Sequence, residues 1–115
     1  MNPSEPTADP YLYSTFGGDA DLAELVEMFV AEMPQRIERV LSCAEGQDWE
    51  GLGRAAHQIK GAAGSYGFHQ LTQPALRLEQ SAVGREAAPV ILQAVEELVA
   101  LCQRLRSGPQ PGQRE

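Results

Sequence analysis

The chain has 115 residues, of which 43% are hydrophobic, and this suits a single globular domain with one core. A formal net charge of −7 argues against a nucleic-acid-binding surface, which has to be basic, and against docking on anionic lipid. The first ten residues lack the basic and apolar regions of a signal peptide, and no apolar run reaches the length of a membrane span.

The two cysteines, Cys43 and Cys102, are far apart in the sequence and form no CxxC pair. This spacing does not support a zinc or redox motif, and we interpret both residues as small apolar side chains at helix seams. With no sign of export, we expect a soluble, cytoplasmic protein in a reducing compartment, with neither a metal nor a cofactor.

Apolar residues recur at helical spacing along the chain, whereas alternating strand patterns are nearly absent. Residues 1–8 are rich in Pro, Ser and Glu, and we expect them to be disordered. Pro10–Phe16 is predicted to form a short first helix. A long helix is predicted over residues 21–45, and Pro34 is expected to kink it. Its apolar stripe consists of Leu22, Leu25, Val26, Phe29, Met33, Ile37, Val40, Leu41 and Ala44.

Three further helices are predicted downstream. Asp48 is a suitable N-cap for the first of them, which ends near Gly67. The next one is expected to become regular at Leu71 or Thr72, because the proline that follows is tolerated in a first helical turn. The last helix follows Pro89 and is predicted to bury Leu105 near its end.

Four amphipathic helices with short connections predict an all-α fold. We expect an antiparallel up-and-down four-helix bundle with a short extra N-terminal helix. The bundle is assigned to residues 9–107, and residues 108–115 are expected to form a flexible tail.

His57 stands on the side of its helix opposite the apolar stripe. Its neighbours on that side are Gly53, Lys60, Gly61 and Gly64. A glycine inside a helix costs roughly 1 kcal/mol relative to alanine, so three glycines on one exposed face weaken the helix. We interpret this face as a surface that a partner approaches closely.

The run His57-Gln58-Ile59-Lys60-Gly61-Ala62-Ala63-Gly64-Ser65-Tyr66-Gly67 resembles the signature of histidine phosphotransfer (HPt) domains of multistep two-component signalling. The resemblance implies a helical bundle that relays a phosphoryl group between aspartates of receiver domains. These receivers belong to response regulators or to hybrid sensor histidine kinases. It also implies a monomeric phosphocarrier without kinase activity of its own.

The same resemblance implies a role for individual residues. His57 would be the phosphoacceptor, and Lys60, at i+3, would place positive charge beside the phosphoryl oxygens. Glu79 stands where the family can have a glutamine or glutamate that hydrogen-bonds the imidazole Nδ1 and leaves Nε2 as the nucleophile. The residues expected to contact the receiver are Gly53, Gln58, Gly61 and Gly64.

Two other functions stay open at this point. The bundle would be a pure interaction module if it bound a receiver without being phosphorylated. It would be a cofactor-binding bundle if His57 and His69 were ligands, but no HxxxH spacing supports this, and we expect His69 to be a surface residue. The alternative interpretation of Lys60 and Glu79 is that both are ordinary solvated surface charges without a functional role.

Overall fold

The computed structural model describes residues 11–109, so the predictions for residues 1–8 and for most of the C-terminal tail lie outside it. Four helices make up most of this part of the chain. They are α1 (Ala23–Glu45), α2 (Trp49–Ser65), α3 (Thr72–Val83) and α4 (Ala88–Cys102). A single 3₁₀ turn at His69–Leu71 precedes α3. Two short strands, β1 (Leu12–Tyr13) and β2 (Leu105–Arg106), stand at either end.

The four helices surround one hydrophobic core. Each helix packs on the next one in sequence, and α1 also packs on α4, so the packing closes into a ring. Phe29 lies in the centre, with its ring 5.2 Å from that of Tyr66 and 5.6 Å from that of Phe68. The prediction of a helical domain is confirmed. None of the helices within residues 11–109 has the length and apolar character needed to cross a membrane.

Local signals determine where the helices begin and end. The Asp48 carboxylate accepts a hydrogen bond from the Gly51 N–H at 3.0 Å, which confirms Asp48 as the N-cap of α2. Pro74 lies within the first turn of α3, where a proline costs no hydrogen bond. Pro34 lies inside α1, which continues through it to Glu45.

The predicted N-terminal helix is wrong for residues 11–16. β1 instead pairs in parallel with β2, so the chain on either side of the bundle meets in a two-stranded sheet. The Ser14 hydroxyl donates to the Tyr66 carbonyl at 2.5 Å and accepts from the Phe16 N–H at 2.8 Å. A short isolated helix is marginal, and the strand pairing with β2 and the bond from Ser14 to Tyr66 replace it.

Three predictions about buried leucines need correction or refinement. Leu25 and Leu41 are exposed, although the pattern assigned both to the apolar stripe of α1. Each is adjacent to a buried stripe residue, Val26 or Val40, and one step along a helix turns a side chain by about 100°. Leu105 is buried as predicted, but it belongs to β2 and not to α4.

Candidate functional site

His57 projects from the middle of α2, and 64% of its side chain is exposed. Its Nδ1 atom lies 2.9 Å from Oε2 of Glu79 on α3. An ionised carboxylate can only accept hydrogen bonds, so Nδ1 is the donor and carries the proton. In the neutral ring, Nε2 therefore keeps its lone pair and is the nitrogen that can act as a nucleophile.

The same carboxylate also binds Lys60. The Lys60 ammonium donates to Oε1 of Glu79 at 2.9 Å, while Oε2 faces His57. Both side chains are largely shielded, with 27% of Lys60 and 22% of Glu79 exposed. We call this arrangement of His57, Glu79 and Lys60 the Glu79 bridge. It connects α2 to α3. Because Lys60 holds the Glu79 carboxylate in place, the hydrogen bond to that carboxylate fixes the orientation of the imidazole.

The bridge lowers the pKa of Glu79, which is ionised at neutral pH. The hydrogen bond from Lys60 is the largest cause that lowers the pKa of the Glu79 carboxyl below its ordinary value of 4.5. Partial burial opposes this, and the hydrogen bond to His57 and the charges of both partners lower the pKa further. A charged acceptor is therefore present beside His57 over the whole physiological pH range.

This lowered pKa predicts how stability depends on pH. The unfolded chain holds the proton of Glu79 more tightly than the folded chain does, so Glu79 contributes fully to the free energy of unfolding above pH 4.5. The contribution disappears as the pH falls through the folded pKa. In urea unfolding between about pH 6 and about pH 3, the wild type should lose more stability than Glu79→Gln does.

Glu38→Gln serves as the control for this experiment, because Glu38 is exposed and has no ion pair among residues 11–109. It should reproduce the wild-type pH dependence. If Glu79→Gln and the wild type lose stability in parallel, the bridge does not lower the pKa of Glu79.

The glycines on α2 fall into two groups. Gly61 and Gly64 are exposed, and a Cβ atom added to either would meet nothing within 4 Å. Gly53 is buried, which contradicts its predicted exposure. A Cβ atom there would lie 3.2 Å from Cγ2 of Val83, so Gly53 lets α3 pack closely against α2.

An open groove of about 720 Å³ runs between α2 and α3 and exposes the imidazole. We call it the α2–α3 groove. It is lined by Glu50, Gly53, Arg54, His57, Gln58, Glu79, Ala82, Val83 and Arg85. Gln58 also lines a smaller depression on the other side of α2, between α1 and α2.

Five of these lining residues were not among the site residues predicted from the sequence, namely Glu50, Arg54, Ala82, Val83 and Arg85. Arg54 precedes His57 by three residues and Val83 follows Glu79 by four, so helical spacing alone would have found both. Val83 is 67% exposed, the most open large hydrophobic side chain in residues 11–109. Arg85 lies in the turn after α3, where no periodicity applies. His69 is exposed on the 3₁₀ turn and does not line the groove.

No cluster of three or more histidine, cysteine, aspartate or glutamate side chains within residues 11–109 is placed to hold a metal ion. Both cysteines are free, and burial raises the pKa of Cys102 to about 12. Neither takes part in the site around His57.

The family model described as "Hpt domain" matches residues 24–108. The chain belongs to the Hpt domain family. Comparison with curated proteins and with solved structures gave no match. Hpt domains take part in phosphotransfer in two-component signalling and interact with receiver domains. The matched part of this Hpt domain includes the Glu79 bridge and nearly all of the four helices.

Substitutions of the exposed Gly61 in this Hpt domain are predicted to have opposite effects on stability and on phosphotransfer. Gly61→Ala should stabilise the protein by up to about 1 kcal/mol, because the added methyl group meets no neighbour and lowers the entropy of the unfolded chain. Gly61→Leu should reduce phosphotransfer from a receiver about tenfold or more, because a bulky group next to His57 prevents close approach. Urea unfolding and transfer assays test the two effects.

The matched control is Ala100→Leu, which enlarges an exposed side chain on α4. It should leave the transfer rate unchanged. Normal transfer by Gly61→Leu would show that the open surface around Gly61 is not needed for docking.

Proposed function

We propose that this Hpt domain relays a phosphoryl group between receiver aspartates through a phosphohistidine at Nε2 of His57. The observation that carries the proposal is the hydrogen bond between Nδ1 and Glu79 on an otherwise exposed ring. This bond assigns the proton to Nδ1, and it leaves the nucleophilic nitrogen accessible from the α2–α3 groove.

The transfer step needs no proton movement at the attacking atom. The Nε2 lone pair attacks the phosphorus of an aspartyl phosphate, an N–P bond forms, and the P–O bond to the aspartate breaks. The aspartate leaves as a carboxylate with the electron pair of that bond. The reverse sequence returns the phosphoryl group to a second aspartate.

Glu79 stabilises the product of this step. When Nε2 bonds to phosphorus while Nδ1 keeps its proton, the ring acquires positive charge. The Glu79 carboxylate, 2.9 Å from Nδ1, accepts a stronger hydrogen bond from that charged ring than from the neutral one. The interaction strengthens as the N–P bond forms and so favours transfer.

Lys60 offsets the negative charge of Glu79. A lone carboxylate next to His57 would repel the incoming phosphoryl group. The Lys60 ammonium, 2.9 Å from Oε1, cancels much of that repulsion and places a positive charge one helical turn from the imidazole. Lys60 thus attracts the phosphoryl group by its positive charge, and it affects His57 indirectly because it binds the Glu79 carboxylate.

The partners we propose are receiver domains of response regulators or of hybrid sensor histidine kinases. They would dock on α2 around Gln58, Gly61 and Gly64, with Gly53 at the bottom of the α2–α3 groove. The helices are proposed to run up and down in antiparallel order, as their short connections favour. We further propose that the protein is a cytoplasmic monomer and that it needs no cofactor.

Phosphotransfer from a panel of purified, radiolabelled receiver domains tests the proposal. At least one receiver should label the protein within minutes, and the label should be lost in acid and kept in base, as expected for an N–P bond. Binding of a receiver without any labelling would instead make the protein an interaction module. An absorption spectrum of the purified protein tests for a histidine-ligated cofactor such as haem.

A further inference from the structure

Two arginine side chains within residues 11–109 have no partner. All other cationic side chains within residues 11–109 are engaged. The ion pairs are Arg36–Glu32, Arg54–Glu50, Lys60–Glu79 and Arg77–Glu97, and Arg106 lies over the Tyr11 ring, while Arg104 also has a partner. The guanidinium groups of Arg39 and Arg85 have no hydrogen bond, ion pair or ring contact within residues 11–109.

These two arginines lie on opposite sides of α2, the helix that carries His57. Arg85 lines the α2–α3 groove together with His57 itself. Arg39 lines the depression between α1 and α2, and Gln58 lines both hollows. The ridge of α2 that carries His57 is therefore flanked by one uncompensated positive charge on each side.

The backbone at Arg85 has an uncommon conformation. Arg85 has a φ of +51°, in the left-handed region, directly after the last turn of α3. Its N–H donates to the Ala82 carbonyl at 3.1 Å, which closes the helix end in the way that a glycine usually does. An arginine at this position is strained where a glycine would not be.

We propose that Arg39 and Arg85 bind acidic side chains of the receiver, on either side of its aspartyl phosphate. This proposal rests on the proposed function and names the chemistry of the partner surface. The chain as a whole has a net charge of −7, so it repels an acidic partner at long range. Two free guanidinium groups, one on each side of the helix that carries His57, make the docking face the favourable place for such a partner to bind.

Exposed charge pairs of this kind act mainly on the rate of association. At low ionic strength we expect Arg39→Gln and Arg85→Gln each to slow transfer from a receiver about threefold, and the double variant about tenfold. Arg39→Glu should slow it more than Arg39→Gln. These differences should vanish at about 1 M salt, where charges are screened beyond roughly 3 Å.

Arg77→Gln is the matched control. It removes the same charge but from a pair with Glu97 on the α3–α4 side, which does not line the α2–α3 groove. Its transfer rate and salt dependence should equal those of the wild type. If Arg77→Gln slows transfer as much as Arg39→Gln and Arg85→Gln do, only net charge matters and the proposal fails.

Arg85→Gly separates docking from stability. It should raise Tm by a few degrees, because glycine adopts the left-handed conformation without strain, and it should still slow transfer. Gln47→Gly is its control, since Gln47 has a φ of +56° after α1 and does not line the α2–α3 groove. Gln47→Gly should raise Tm without any effect on transfer.

The assay uses the receiver that labels the wild type fastest in the panel, alongside phosphoramidate, a small donor that needs no docking surface. Phosphoramidate should label all variants at the wild-type rate. Wild-type transfer by Arg39→Gln, Arg85→Gln and the double variant at low salt would overturn the docking proposal alone. A wild-type protein that neither donor labels would overturn the proposed function, and the docking proposal with it.

Discussion

His57→Gln is expected to fold like the wild type and to accept no phosphoryl group from any receiver. The side chain is 64% exposed, and the hydrogen bond to Glu79 is the one interaction of the ring found within residues 11–109. A glutamine amide preserves much of the size and polarity but has no nitrogen lone pair available for attack. Radiolabelling measures the loss, and thermal unfolding measures the stability, which should change by less than about 0.5 kcal/mol.

His69→Gln is the natural control, because it removes the other histidine of the chain, which is exposed on the 3₁₀ turn outside the α2–α3 groove. It should be labelled at the wild-type rate. Labelling of His57→Gln together with loss of labelling in His69→Gln would move the acceptor to His69 and invalidate the mechanism built on the Glu79 bridge.

Glu79→Ala and Lys60→Ala should each slow phosphotransfer by roughly ten- to a hundredfold. Loss of one charge-assisted contact costs about 1.5–3 kcal/mol when the contact strengthens with the transferring group. Without Glu79, the imidazole is free to place its proton on Nε2, and the charged product loses its acceptor. Without Lys60, the carboxylate repels the phosphoryl group. Lys60→Arg should recover part of the rate, because it keeps the charge and changes the geometry.

The Lys60→Ala/Glu79→Ala double variant shows whether the two residues act as a unit. If Lys60 works partly through Glu79, the double variant should be less impaired than the product of the two single losses. Rates against one receiver, measured at two salt concentrations, give this coupling. Arg77→Ala breaks a comparable bridge between α3 and α4 and should leave the rate unchanged. Equal rates for wild type, Lys60→Ala, Lys60→Arg and Glu79→Ala would leave both residues as surface charges.

Much of the helical fold could be predicted from local sequence signals. The Asp48 cap, the start of α3 at Thr72 and the outward direction of His57 each depend on interactions within one helix. Helical spacing also put Lys60 on the same side as His57. These features need no knowledge of how the helices pack, and this is why a single sequence was sufficient for them.

Features that depend on contacts between distant segments were predicted less well. The β1–β2 pair joins residues 93 positions apart, as Leu12 and Leu105 face each other. The helical spacing of the residues in α2 does not reveal which side of this helix is covered by α3. Gly53 was therefore assigned to the open surface, although it packs against Val83. The contact between Lys60 and Glu79 spans 19 residues and depends on the same choice of flank.

The β1–β2 pair also has a mechanical consequence. All four helices lie between Tyr13 and Leu105, so the pair closes a loop that contains the whole bundle. Because the strands are parallel, tension on the chain outside the loop pulls β1 and β2 past each other in shear. The ladder bonds then resist together, and α2 bears no load until they break. Tension applied between the two ends of the domain would therefore leave the structure around His57 unchanged until the hydrogen bonds between β1 and β2 break.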